Sequence, residues 1–150
     1  NPSDVQQLAS ISDEEFNALF TPLKDRGGVV MFADGVHELD DEGKALIEEI
    51  WADRRGARYF FVVARASKTG TRDFNQKLSH KRSNSVKFFV EDKFQEKELD
   101  KKMGLMWLGF DYAQLDESYC EWNVSHDKKG QCDKLAINRS AFISWVDCRL

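Results

Sequence analysis

Hydrophobic and polar residues alternate along this chain in two different periods, and these periods predict its strands and helices. Four short apolar runs, rich in β-branched and aromatic residues, predict strands. They lie at residues 29–32, 58–66, 103–110 and 142–146. Between them, apolar residues return every three or four positions, which predicts helices with one buried face at residues 39–50 and 72–94.

A short helix is predicted to precede this alternation of strands and long helices. Ser12 followed by Glu15 is a capping box, which opens a helix that Pro22 and then the pair Gly27 and Gly28 end. The order α-β-α-β-α-β-loop-β predicts an α/β sandwich in which the helices pack on one mixed sheet.

The details of three segments are also predicted. The run 58–66 is apolar nearly throughout and indicates a central strand buried on both faces. A polar loop is expected over residues 111–138. The helix at 72–94 has Arg82 at the edge of an inner apolar stripe. That stripe comprises Phe74, Leu78, Val86, Phe89 and Val90.

Length and charge narrow the class of protein. The 150 residues suit one domain, which we expect at 12–150, after a polar linker at 1–11. Because 22 basic residues face 26 acidic ones, the net charge is −4, and we expect no nucleic-acid partner. No apolar run is long enough to cross a bilayer, and the chain begins without Met. We therefore expect a piece of a longer protein, with its anchoring segment upstream.

Three cysteines indicate the compartment. Cys120 and Cys132 stand at the two ends of one polar stretch, which suits a local disulfide in an oxidising compartment. The alternative is that these two and Cys148 are three unrelated thiols. The histidines are scattered and no Cys-x-x-Cys is present, so no metal site is predicted.

Catalytic signatures are absent from the sequence. It contains no serine-hydrolase elbow, phosphate-binding loop, dinucleotide fingerprint or metalloprotease motif. Asp40, Asp41 and Glu42 suit the positive end of a helix better than acid–base catalysis. Cys148 would need a base to act as a nucleophile, and the sequence nominates none. We expect neither an enzyme nor a cofactor.

The most informative stretch spans residues 64–86. After the strand come Gly70 and then a helix with Asn75, Leu78, Ser79, Arg82 and Val86. This stretch resembles the signature of OmpA/MotB-like peptidoglycan-binding domains, in which a strand ends in Gly-x-Thr-Asp. The helix that follows in those domains carries Asn-x-x-Leu-Ser-x-x-Arg-Ala-x-x-Val. Asn138 and Arg139 likewise resemble the start of the family's Asn-Arg-Arg, and some members have a cysteine pair around the preceding loop.

The resemblance implies an OmpA-C-like βαβαβ-β core with an extra N-terminal helix. It also implies non-catalytic binding of the peptidoglycan stem peptide through diaminopimelate. Arg82 would hold the carboxylate, and Ser67 stands fifteen residues earlier, where the family has its aspartate. The implied ligand-binding residues are Ser67, Thr69, Gly70, Asn75, Ser79, Arg82, Asn138 and Arg139.

The chain departs from the family pattern on the side that would meet an ammonium group. Ser67 carries no charge, and Ser140 replaces the second arginine of Asn-Arg-Arg. Asp34 and Asp73, from neighbouring loops, are the candidate replacements for the missing aspartate. The alternative for the motif is structural: Arg82 pairing with a carboxylate or capping a carbonyl, and Asn75 and Ser79 capping the helix or facing solvent.

Two functions follow from this resemblance. The first is a wall anchor in the bacterial periplasm, belonging to an inner-membrane stator or to a secretion complex. The missing upstream segment would tether it to the inner membrane and to a partner protein there. The second is an OmpA-like fold retained as a protein–protein or homodimer module, with wall binding weakened or lost. An aromatic C-terminal half favours the second, since aromatic side chains are enriched at interfaces.

Overall fold

The computed structural model describes residues 11–54 and 56–146 of the chain. The helices are α1 (Asp13–Ala18), α2 (Asp41–Ala52), α3 (Arg72–Phe94) and α4 (Lys134–Asn138). The strands are β1 (Gly27–Met31), β2 (Tyr59–Ala64), β3 (Met103–Trp107) and β4 (Ser140–Val146). Short 3-10 helices span Thr21–Arg26, Leu99–Lys101 and Glu117–Glu121. Residues 1–10 of the expected linker and Cys148 lie outside the described residues.

The four strands form one mixed sheet in the order β1-β4-β2-β3. β4 runs antiparallel to both of its neighbours, β1 and β2, whereas β2 and β3 are parallel and are joined through α3. The last strand of the described chain therefore lies inside the sheet. Helices packed on a mixed sheet are the predicted fold class, and this prediction is confirmed.

The first strand begins two residues before its predicted start. Gly27 and Gly28, expected to end the preceding element, are the first two residues of β1 and pair with β4. A Cβ on Gly27 would lie 2.1 Å from the carbonyl oxygen of Ile143. Glycine thus permits close strand approach here and does not mark a turn.

Both faces of the sheet are covered, and each has its own core. On one face α2 and α3 pack against alternate residues of the strands. On the other, α1 packs with residues from the segment 111–138. The polar loop predicted over that segment also contains α4 and four buried apolar residues, which the prediction missed. These are Ala113, Leu115, Val124 and Ile137.

Helix boundaries agree closely with the sequence pattern. Ser12 Oγ accepts a hydrogen bond from Glu15 N at 3.1 Å, as the capping box predicts. In α3, Leu78, Val86 and Val90 are buried, but the prediction for Phe74 is wrong, because its side chain is 54% exposed. Phe74 lies in the first turn of α3, next to the buried Asn75.

Candidate functional site

The residues of the motif meet at one edge of the sheet. Met31, at the end of β1, pairs with Ser140 at the start of β4, and Ala64, at the end of β2, pairs with Ala141. The loops that follow β1 and β2 therefore emerge side by side, next to the residue that precedes β4. The edge is built from residues 32–36, 65–71 and Arg139.

The loop between β2 and α3 is held by side chains of the motif. Thr71 caps α3 by accepting a hydrogen bond from Phe74 N at 3.2 Å. The buried Asn75 amide donates to the carbonyl oxygens of Thr69 and Thr71. Gly70 has φ +81°, a conformation that side-chain-bearing residues rarely adopt. Asn75 therefore fixes the loop from within; it neither caps the helix nor faces solvent.

Arg82 lies beneath this edge and is 0% exposed. Its guanidinium donates to three backbone carbonyl oxygens: Val36 at 2.9 Å, Arg65 at 3.1 Å and Ala33 at 3.1 Å. Burial, and to a smaller extent the nearby charge of Arg139, lower the pKa of Arg82 to about 10, while the charge of Asp34 opposes the shift. Arg82 thus joins the loop after β1 to the end of β2.

Arg139 and Asp34 form an accessible pair of opposite charges at this edge, and Lys68 in the loop after β2 is also exposed. Arg139 Nε donates to Ser67 Oγ at 3.3 Å and lies 3.7 Å from Asp34 Oδ1. The Arg139 side chain is 22% exposed and that of Asp34 is 69% exposed. Asp34 and Asp73 are the two candidate replacements for the missing aspartate. Asp34 forms the ion pair with Arg139, whereas Asp73 lies in the first turn of α3.

Ser79 and Asn138, two further expected ligand-binding residues, are also buried. Ser79 Oγ donates to Gln76 O and accepts from Gly109 N, both at 2.9 Å, which ties α3 to the turn after β3. The Asn138 side chain accepts from Leu115 N at 2.7 Å and donates to Leu115 O at 2.9 Å. The edge therefore brings together Ser67, Arg82 and Arg139, while Ser79 and Asn138 hold loops in place.

Arg65 is a buried residue that the sequence reasoning missed. It lies directly after β2, and its guanidinium donates to Ala113 O at 2.7 Å and to Asn17 Oδ1 at 2.8 Å. Burial lowers its pKa to about 10. The available signal was an arginine directly after an apolar run, inside the segment that the signature fills with Gly-x-Thr.

The cysteine pair forms the predicted local disulfide. Cys120 and Cys132 are bonded, with their Cα atoms 5.9 Å apart. The bond closes the segment that runs along the outer edge of β1, where Val29 and Val124 form an isolated bridge. The prediction of a Cys120–Cys132 pair is thus confirmed against the alternative of three unrelated thiols.

Comparison with known proteins identifies the fold. No family model and no curated protein matches the sequence. The structure is similar to the peptidoglycan-associated lipoprotein from Burkholderia pseudomallei, with a TM-score of 0.59 and 18% identity over 83% of this chain and 93% of that one. The chain has the OmpA-like fold.

Two other solved structures agree with this assignment. The OmpA-like domain of FopA1 from Francisella tularensis has a TM-score of 0.52 at 18% identity, over 81% of this chain and 74% of that one. The cell wall anchor of the type VI secretion system (T6SS) from Pseudomonas aeruginosa also has 0.52, at 15% identity, over 79% and 76%. None of the three is named for a catalytic activity, in keeping with the expectation of a non-enzyme. Within residues 11–54 and 56–146 of this OmpA-like chain, no helix has the length and apolar character to span a membrane.

Proposed function

We propose that this domain is a non-catalytic wall anchor of the bacterial periplasm, which binds the peptidoglycan stem peptide through diaminopimelate. The observation that carries the proposal is the pairing of the half-buried Arg139 with the exposed Asp34 beside Ser67. A cation and an anion side by side complement the free carboxylate and ammonium of diaminopimelate. The fold, shared with a peptidoglycan-associated lipoprotein and a cell wall anchor, supports the same function.

Each charged group has a distinct role in this proposal. Arg139 pairs with the ligand carboxylate, and the buried Arg82 adds positive charge from beneath while holding the loop after β1. Asp34 meets the ammonium in place of the family aspartate. Ser67, Thr69 and Gly70 line the loop against which the ligand lies.

Co-sedimentation with purified diaminopimelate-type sacculi tests this function. We expect Arg139→Gln and Asp34→Asn each to weaken binding about tenfold or more, because a hydrogen bond to a charged group contributes about 1.5–3 kcal/mol. Ser67→Asp restores the family carboxylate and should strengthen binding. Arg58→Gln is the matched control, since this exposed arginine precedes β2 at the opposite end of the strand.

The variants also separate ligand binding from folding. Arg82→Ala removes three hydrogen bonds to backbone carbonyls, so its loss of binding counts only if its circular dichroism matches that of wild type. Wild-type protein that stays in the supernatant, or Arg139→Gln protein that pellets as well as Arg58→Gln, would contradict the proposal.

We infer further that the full-length protein is tethered to the inner membrane by a segment that precedes the domain. The domain would then join a stator or a secretion complex to the wall. The secretion complex is the favoured alternative, because one of the proteins that share the fold is the cell wall anchor of a secretion system. Fractionation of the full-length protein tests the tether: it should remain with the inner membrane after the wall is digested.

The second candidate function is a homodimer module, and exposed aromatic side chains on α3 favour it. Phe74 is 54% and Phe88 is 57% exposed, and their spacing of fourteen residues places them on the same side of the helix. Light scattering of the purified protein distinguishes this candidate. A dimer that Phe88→Ser dissociates would support it, and a monomer at high concentration would exclude it.

A further inference from the structure

Three potential metal ligands meet at the N-terminus of α2, outside the proposed wall-binding site. Asp40, Glu42 and His126 each place one ligand atom within 4.8 Å of the others. His126 Nε2 lies 2.6 Å from Asp40 Oδ2 and 4.0 Å from Glu42 Oε2. The sequence predicts no such site, because the imidazole lies 86 residues from Asp40 along the chain.

Each ligand is held by its own part of the fold. Asp40 Oδ1 accepts the capping hydrogen bond from Gly43 N at 2.8 Å, which leaves Oδ2 directed at His126. The imidazole comes from the disulfide-closed segment. There Ser125 Oγ accepts from Met31 N at 2.8 Å, and Ser125 N donates to Val29 O at 3.0 Å. Bonds between the neighbouring Ser125 and β1 therefore hold the imidazole beside the helix, in addition to its contacts with the carboxylates.

Helix capping accounts for only part of this cluster. The capping hydrogen bond uses Asp40 Oδ1 alone; Asp40 Oδ2 shares a hydrogen bond with the His126 imidazole at 2.6 Å, and Glu42 lies in the first turn of α2. An imidazole nitrogen with two carboxylates is a donor set of intermediate hardness, which suits Zn²⁺ and similar transition ions. Mg²⁺ and Ca²⁺ prefer oxygen ligands only.

We propose that Asp40, Glu42 and His126 form a binding site for a divalent transition-metal ion of the Zn²⁺ type. The three side chains are 42%, 59% and 25% exposed, respectively, so the site opens to solvent. Three protein ligands leave a coordination position for water or for a ligand from outside. Such an ion would join the disulfide-closed segment to α2. The site shares no residue with the proposed wall-binding edge, so either can fail without the other.

Isothermal titration of Zn²⁺ into tag-free, chelator-treated protein tests the site. We expect one ion per chain, no binding of Mg²⁺ at the same concentrations, and affinity at least tenfold weaker in His126→Gln and in Glu42→Gln. The matched controls are His37→Gln, a partly exposed histidine in the loop before α2, and Asp41→Asn, the carboxylate between the two proposed ligands. Both controls should bind Zn²⁺ as wild type does. Repeating the titration with Cys148→Ser excludes coordination by the remaining thiol.

Cobalt gives a second, independent readout. Co²⁺ bound to an imidazole and two carboxylates absorbs in the visible region, and this band should be present in wild type and lost in His126→Gln. Equal Zn²⁺ affinity in wild type and His126→Gln would overturn the proposal. So would an equal loss in Asp41→Asn and Glu42→Gln, since the cluster would then be only a charged helix start with a histidine beside it.

Discussion

Asn138 belongs to the motif at the candidate site, yet its amide is directed into the protein. It bonds both backbone groups of Leu115, and it also donates to Lys134 O at 2.8 Å. Asn138→Ala leaves these groups buried without partners, so we expect the free energy of unfolding to fall by about 2–3 kcal/mol. Urea unfolding measures this loss. Asn123→Ala, which removes an exposed amide with one bond of 3.4 Å, should lose much less; equal losses would contradict the structural role.

Deprotonation of Tyr119 should make the free energy of unfolding depend on pH in the alkaline range. Burial raises its pKa above the usual value of 10.0, the negative charge of Asp116 adds to this, and Arg65 opposes it. Above about pH 10 the unfolded phenol loses its proton first, so the folded state binds more protons and stability falls as pH rises. The contribution is complete below the unfolded pKa and is lost as the pH passes through the folded one.

Urea unfolding between about pH 9 and 11 measures this effect. We expect the free energy of unfolding to fall more steeply with pH in wild type than in Tyr119→Phe, which has no phenol at this position. Parallel curves for the two proteins would show that Tyr119 titrates alike in the folded and unfolded states.

Residue types at the candidate site were predictable from the sequence, whereas their exposure was not. The spacing of Ser67 and Arg82 indicated the correct strand, loop and helix. The sequence could not show that the carbonyls of Ala33 and Val36 take up the Arg82 guanidinium, because that loop is 46 to 49 residues away. The candidate-site role of Arg82 therefore remains a prediction, to be tested by wall binding.

At the scale of the elements, β1 requires a residue without a side chain at position 27. A Cβ on Gly27 would meet the backbone of its partner strand at Ile143 and Ser144. We expect Gly27→Ala to lower the free energy of unfolding by about 3 kcal/mol, the upper end for overpacking, because backbone cannot move aside as a side chain can. Thermal or urea unfolding measures it.

Gly104 in β3 provides the control for this substitution. A Cβ there would lie 3.2 Å from Cδ2 of the Phe61 ring, which can shift. Gly104→Ala should therefore change stability by less than about 1 kcal/mol. If Gly104→Ala lost as much stability as Gly27→Ala, then replacing any strand glycine would be destabilising, and the close backbone approach at Gly27 would not be the cause.

Elements defined by local signals were predicted well from the sequence. Helix α3 spans the predicted residues 72–94, since the apolar residues that predict it lie within one segment. The segment 111–138 was predicted poorly. Its buried residues are single apolar side chains with no period between them, and they are buried through contact with α1 and β1.

At the scale of the whole molecule, β2 and β4 are the interior strands of the sheet. Their backbone amides are enclosed by strands on both sides, so we expect them to exchange with solvent only through global unfolding. The amides of β3, at an outer edge, should exchange at least tenfold faster. Hydrogen exchange followed by NMR measures this order. Equal protection of β3 and β4 would show that the helices, rather than the order of strands, set local stability.

The interior position of β4 also determines when this domain can complete its sheet during synthesis. β1 and β2 have no hydrogen-bonded ladder with each other, and only β4 joins them. A chain that leaves the ribosome or a translocation channel from its N-terminus cannot complete the sheet until residue 146 has emerged. Until then β1 is not joined to the pair of β2 and β3, so the four strands cannot form a single sheet.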